Sequence, residues 1–103
     1  VDVVTDGDEI VELVAYRTPG HTPGHTAFVH EHLEVAFVGD MISESGGRLE
    51  LPPWVMTADP KANRESIRSF VDRCPAVDVV AVGHGDPIRE YGYGALKRLV
   101  DRL

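Results

Sequence analysis

The 103-residue sequence contains a single cysteine, Cys74, and few basic residues. One cysteine cannot form an internal disulfide bond, so nothing favours an oxidising compartment and we expect a cytoplasmic protein. Cys74 precedes Pro75 at the predicted end of a helix, and we interpret it as structural. Only 10 Lys and Arg residues stand against 17 Asp and Glu, which gives a net charge of −7 without any basic run. The chain therefore lacks the basic surface typical of proteins that bind nucleic acids.

Long apolar runs are missing as well. No stretch approaches the roughly 20 apolar residues that a membrane-spanning helix requires, and the N-terminus shows no signal-peptide pattern. We therefore expect neither a membrane nor a nucleic acid as a partner. The sequence also has no Gly-x-Ser-x-Gly elbow and no phosphate-cradling glycine loop, so it carries neither of these two motifs for catalysis or phosphate binding.

The composition that remains is that of a small folded protein. Hydrophobic residues make up 43% and charged residues 26% of the chain, which is incompatible with extended disorder. We predict one domain over residues 1–103. A domain of this length has a small core, so a second copy or a further segment of chain would help to stabilise it.

Apolar runs and turn residues predict strands first and helices later. Strands are expected at residues 1–4, 10–17, 26–30, 33–38 and 77–82, with turns at Asp6-Gly7 and Glu31-His32. Residues 41–57 show no clear period and are predicted to form a long irregular loop. Asp59-Pro60 is typical of a helix start, and Leu96, Leu99 and Leu103 belong to a final amphipathic helix. We predict an α/β fold in which helices cover one face of a β-sheet.

Three short polar motifs interrupt these apolar surroundings. They are Thr18-Pro19-Gly20-His21-Thr22-Pro23-Gly24-His25, Val38-Gly39-Asp40 and Val82-Gly83-His84-Gly85. Each places a candidate metal ligand, His21, Asp40 or His84, at or just past the end of a predicted strand. Imidazole and carboxylate are common zinc ligands, and strand ends can meet at one edge of a sheet. The motifs therefore predict a metal site formed by these three side chains.

Together the motifs resemble the third, fourth and fifth sequence motifs of the metallo-β-lactamase superfamily, in the same order. The resemblance covers roughly residues 3–90, and the first of the three motifs is similar to that of glyoxalase II-like hydrolases. The family's first motif, His-x-His-x-Asp-His, is absent from this sequence. The chain therefore looks like the C-terminal half of the αββα sandwich of that family, and the other half of the fold is expected to come from an N-terminal segment or a second copy.

The resemblance implies a metal-dependent hydrolase acting on a small-molecule thioester, lactone or related ester. It implies that His21 binds a first metal ion, that Asp40 bridges two ions at the catalytic centre, and that His84 binds the second. The metal would be zinc, or alternatively iron or manganese. We interpret His25 either as a residue that orients the loop around these ligands or as one without a role. With only three ligands, the chain alone is expected to bind metal weakly and to be inactive; the alternative is a catalytically silent structural or interaction half-domain.

Two further features are ambiguous in the sequence. His30 and His32 form a His-x-His pair, but Glu34 and Val35 stand where the family motif has Asp and His, so we predict an exposed turn without metal. Trp54 follows two prolines in the long loop. It either forms an apolar wall for a substrate or packs locally beneath that loop.

Overall fold

The computed structural model describes residues 2–6 and 9–103, with side chains from residue 13 onward. The strands are β1 (Asp2–Asp6), β2 (Glu9–Arg17), β3 (Thr26–His30), β4 (Val35–Ser45), β5 (Arg48–Glu50) and β6 (Val79–His84). The helices are α1 (Pro60–Arg73) and α2 (Gly92–Asp101), and a short 3₁₀ helix spans Trp54–Met56. The predicted Asp6-Gly7 turn and the start of the first predicted strand at Val1 lie partly outside the described residues.

The strands form one six-stranded sheet. Strands β1 to β5 pair antiparallel in chain order, and β6 joins the sheet by pairing parallel with β4. Strand β4 is thus bonded to β3, β5 and β6, in registers that place Phe37 beside Phe28 and Ala81. The predicted α/β sheet with helices on one face is confirmed.

Both helices pack on the same face of the sheet. Alternate residues of the strands point to that face, and they meet the apolar sides of α1 and α2 in a core that includes Val29, Val38, Val80, Ile67, Phe70, Leu96 and Leu99. Phe70 is fully buried, and its ring meets the Tyr16 ring edge-on at a centroid distance of 5.2 Å. Full burial of one such side chain stabilises the fold by about 1.5–3 kcal/mol.

Helix α1 begins as the sequence predicts. The Asp59 side chain accepts a hydrogen bond from the Ala62 amide at 3.0 Å, and Pro60 occupies the first helical position. The helix ends at Arg73, just before Cys74. The Cys74 thiol is buried and donates to the Pro75 carbonyl at 3.2 Å, and burial raises its pKa to about 11. The thiol therefore stays protonated at neutral pH, which agrees with a structural role.

The prediction of an irregular loop over residues 41–57 is wrong for its first half. Strand β4 continues to Ser45 and forms a hairpin with β5. The turn between them is Gly46-Gly47, where both φ angles are positive, +60° and +82°, as a type I′ turn requires. The sequence pattern does not predict this part of the strand, because the consecutive residues Met41 and Ile42 are both buried and break the alternation of apolar and polar residues. Two register shifts against β6 accompany this irregularity.

Strand ends also differ from the prediction at two of the candidate ligands. Asp40 lies inside β4 instead of at its end, because the strand is longer than its apolar run. His84 is the last residue of β6 and not a residue beyond it. His21 does follow the end of β2, as predicted. None of the helices in residues 9–103 is long and apolar enough to cross a bilayer.

We predict that Gly20→Ala destabilises the fold by about 2–4 kcal/mol, because a side chain there meets backbone and the φ angle is unfavourable. An added Cβ would lie 2.3 Å from the Asn63 Cα, and Gly20 has a φ of +149°. Gly24→Ala, four residues along the same repeat, is the matched control, since no atom lies within 4 Å of its Cβ position. Urea unfolding of both variants measures the difference. Equal stabilities would show that the Gly20 contact is not required.

Candidate metal centre

His21 is presented by a loop that is fixed to the start of helix α1. The His21 carbonyl accepts a hydrogen bond from the Ala58 amide at 3.1 Å, and the Gly20 carbonyl accepts one from the Asp59 amide at 2.8 Å. The Pro19 carbonyl accepts a further bond from the Ser66 hydroxyl at 2.6 Å. Pro19 and Gly20 end the strand, and these three bonds then hold the loop in place. The His21 side chain is 19% exposed.

The structure brings His21, Asp40 and His84 together. The His21 Nε2 atom lies 3.7 Å from Asp40 Oδ2, and the His84 Nε2 atom lies 3.6 Å from Asp40 Oδ1. Each histidine therefore faces a different oxygen of one carboxylate. The convergence follows from the sheet, because β4 carries Asp40 and pairs directly with β6, whose last residue is His84.

Glycine makes room for this carboxylate. A Cβ added at Gly83 would lie 2.2 Å from Asp40 Oδ1, so no other residue fits there without moving the Asp40 side chain. Gly39 has a φ of +56°, and a Cβ there would lie 2.9 Å from the His25 Nε2 atom. Steric crowding therefore explains why Gly39 and Gly83 carry no side chain, and the crowding arises only in the folded chain.

His25 lies behind His21 and is held by Thr18. A hydrogen bond of 2.8 Å joins Thr18 Oγ1 and His25 Nδ1, and Thr18 is fully buried. The His21 and His25 rings meet edge-on with centroids 6.3 Å apart. Burial, and then the neighbouring His21 ring, lower the pKa of His25, which favours a neutral imidazole. Sequence reasoning overlooked Thr18, although the repeated Thr-Pro-Gly-His pattern pointed to it.

The donor atoms suit divalent metal ions but do not form a complete ligand set. Two donors bound to one zinc ion at about 2.0 Å in tetrahedral geometry are about 3.3 Å apart, close to the two observed separations. The His21 Nδ1 atom is buried without a hydrogen-bond partner, a condition that costs about 1–3 kcal/mol. Among side chains 13–103, however, no group of three or more His, Cys, Asp and Glu residues is arranged to hold an ion. The side chains form two pairs that share Asp40.

The remaining sequence candidates lie outside this cluster. His30 is at the far end of β3 from His25, where its Nδ1 atom accepts the Leu33 amide at 3.1 Å, and His32 is exposed in the same turn. Trp54 is 75% exposed, so the interpretation that it packs beneath the loop is wrong.

Comparison with known proteins relates this chain to a family. The family model described as Metallo-beta-lactamase superfamily matches residues 1–88. Hydroxyacylglutathione hydrolase GloC of Haemophilus influenzae is 35% identical over 68 residues, which cover 65% of this chain and 30% of that protein. The uncharacterised protein YobT of Bacillus subtilis is 30% identical over 95 residues, which cover 84% and 40% of the two chains.

Solved structures show the same fold. A metallo-beta-lactamase from Erythrobacter litoralis matches with a TM-score of 0.66 and 30% identity, over 86% of this chain and 38% of that one. TTHA1623, solved in a di-iron-bound form, matches with a TM-score of 0.65 and 27% identity, over 97% and 47% of the two chains. The chain spans 30% to 40% of the length of the curated relatives.

We predict that Thr18→Val lowers the free energy of unfolding by about 1–2 kcal/mol, because it leaves the half-buried His25 Nδ1 atom without a partner. Valine keeps the shape of threonine, so the loss reports the hydrogen bond. Thr22→Val is the matched control: Thr22 is exposed at the equivalent place in the repeat, and its substitution should change stability by less than about 0.5 kcal/mol. If urea unfolding finds both variants as stable as the wild type, the Thr18–His25 bond does not support the site.

Proposed function

The chain belongs to the metallo-beta-lactamase superfamily, and we propose that it contributes part of the metal centre of a metal-dependent hydrolase. One observation carries the proposal: the His21 and His84 Nε2 atoms face opposite oxygens of Asp40 at 3.7 and 3.6 Å. Two pairs that share one carboxylate are suited to two adjacent ions. The relatives support a hydrolase-type fold, and one of them was solved with two iron ions.

Each of the three side chains has a distinct part in this proposal. His21 would hold the first ion, His84 the second, and Asp40 would bridge them. When bound, such ions lower the pKa of a water molecule to about 7 and polarise a carbonyl oxygen. Zinc, iron and manganese all accept imidazole and carboxylate donors.

The protein environment keeps the ligands in position. The bonds from Ala58 and Asp59 fix the His21 loop, and Gly83 leaves Asp40 free to present both oxygens. The Thr18–His25 pair would support this loop from behind and keep the His21 ring from turning away. Such supporting contacts commonly decide how well ligands bind a metal.

A thioester is the substrate class that we favour. The support is the name of the GloC relative, a hydroxyacylglutathione hydrolase. An apolar ridge formed by Trp54, Val55 and Met56 adjoins the His21 loop, because Ala58 bonds to the His21 carbonyl. The three ridge side chains are 75%, 67% and 60% exposed. Such an exposed ridge next to the His21 loop suits the apolar part of a small ester or thioester.

Other parts of the enzyme would complete the centre. Catalytic zinc usually has three protein ligands, whereas each pair here supplies two. On the sheet face opposite the helices, the register aligns Ala15, Phe28, Phe37 and Ala81 in one row, and Phe37 is 44% exposed. This apolar row suits a second layer, supplied by an N-terminal half or by a second copy. The same row favours the alternative function, a silent half-domain that only binds its partner.

We predict that His21→Ala, Asp40→Ala and His84→Ala each weaken binding of Zn²⁺, Mn²⁺ or Fe²⁺ by about tenfold or more, since each removes a ligand of an already partial set. Asp40→Ala should have the largest effect because it faces both histidines. His32→Ala, which changes an exposed histidine outside the cluster, is the control. Elemental analysis and metal titration measure the affinities, with circular dichroism to verify folding.

Two results would count against this assignment. If the three variants bind metal as the His32→Ala control does, these residues are not the ligands. If the purified wild-type chain retains no metal and binds none of Zn²⁺, Mn²⁺ and Fe²⁺ in the titration, the silent half-domain becomes the better function.

We predict that Trp54→Ala raises KM for thioester hydrolysis several-fold in the metal-loaded, complete enzyme while the free energy of unfolding changes by less than about 0.5 kcal/mol. The exposed indole has little packing to lose, so a change in KM reports contact with substrate. Leu33→Ala, at a 63% exposed leucine in the β3–β4 turn, is the control. An unchanged KM in Trp54→Ala would remove the ridge from the substrate site.

A further inference from the structure

A polar cavity lies between the β4–β5 hairpin and helix α2. Its volume is about 470 Å³, and it is lined by Gly47, Arg48, Leu49, Ala95, Arg98 and Arg102. It shares no residue with the candidate metal centre. Three of its six lining residues are arginines, in a chain whose net charge is −7. The cavity is therefore positively charged, although the net charge of the chain is negative.

The three guanidinium groups are not neutralised by carboxylates. Arg98 belongs to the last turn of α2, and Arg102 caps the C-terminal end of that helix. Arg48 faces them from β5. Among side chains 13–103, no ion pair involves any of the three. A bound anion would supply the negative charge that these three residues lack.

One carboxylate of the β4–β5 hairpin, Glu44, is engaged by backbone amides. Glu44 accepts the Gly47 amide at 2.6 Å through Oε2 and the Asp86 amide at 2.8 Å through Oε1. It is therefore held by the backbone and is not a lining residue of the cavity. Glu50 and Asp101, which neighbour the arginines in sequence, do not line it either.

One arginine is fixed in position by the sheet. The Arg102 Nη2 atom donates to the Leu49 carbonyl at 2.5 Å, which anchors the guanidinium at the cavity wall. The remaining N–H groups of Arg102 stay available for a ligand. A planar guanidinium that is already immobilised loses less conformational entropy on binding than a free one.

We propose that this cavity binds a small phosphate-bearing anion. Arginine forks match the oxygens of phosphate in paired, charge-assisted hydrogen bonds. Three such groups balance the charge of a diphosphate, and the volume lies within the range of about 300–1,000 Å³ that is usual for small-molecule sites. The site is independent of the metal centre, since none of the candidate metal ligands lines it.

Calorimetric titration with inorganic pyrophosphate tests the proposal. EDTA is present throughout, so that phosphate cannot be held through a metal ion. We expect the wild-type chain to bind pyrophosphate and Arg48→Gln, Arg98→Gln and Arg102→Gln each to weaken binding about tenfold or more. Arg89→Gln makes the same change of charge at an exposed arginine outside the cavity, and its affinity should stay within twofold of wild type.

Arg48→Gln separates binding from folding, because the anchoring bond to Leu49 is made by Arg102 and not by Arg48. Equal weakening in Arg89→Gln would overturn the proposal in favour of general charge attraction, and absence of wild-type binding at millimolar pyrophosphate would overturn it outright. A second experiment replaces pyrophosphate with vesicles that contain phosphatidic acid. Sedimentation with the vesicles, without binding of free pyrophosphate, would replace the small-anion site with a membrane-surface contact.

Discussion

The arrangement of the candidate centre depends on one close backbone contact, between Gly20 and Asn63 of helix α1. The missing side chain of Gly20 lets the loop after β2 lie directly on the helix, where Asp59 and Ala58 donate to its carbonyls. On the other side of the helix start, the Asn63 side-chain Nδ2 atom donates to the Met41 carbonyl of β4 at 3.1 Å. One buried residue thus connects the loop that carries His21 with the strand that carries Asp40.

Electrostatics explains why Asp40 is tolerated inside a strand. A carboxylate in the middle of an apolar strand loses hydration unless cations or donors surround it. Here the side chain is 43% exposed and has an imidazole on each side. A divalent ion on either side would add positive charge next to the carboxylate, while a silent half-domain would rely on the remaining exposure of Asp40 to water.

Much of this architecture can be predicted from the sequence, for identifiable reasons. Asp59-Pro60 begins a helix through contacts within four residues, so local rules suffice. Turn residues near the ends of apolar runs predict that His21, Asp40 and His84 lie close together, although Asp40 lies inside β4 and meets His84 through the pairing of β4 with β6. The β4–β5 hairpin could not be predicted in this way, because consecutive buried residues such as Met41 and Ile42 erase the strand period. The role of Gly83 depends on its contact with Asp40, which is distant in sequence, and no local pattern reports it. The Thr18–His25 bond lies within the Thr-Pro-Gly-His repeat, so the repeat pointed to Thr18 without showing the bond itself.

The parallel pairing of β4 with β6 has a consequence for the order of folding. Strands β1 to β5 join neighbours in sequence, whereas β6 reaches β4 only after the chain has passed through α1. Contacts between residues far apart in sequence require costly loop closure and form slowly. His84 therefore meets Asp40 only when β6 docks beside β4, while His21 depends on the separate loop contact with α1. Two ions that share Asp40 would therefore both bind only after β6 has docked beside β4 and the His21 loop has docked on α1, so full metal loading would report complete folding.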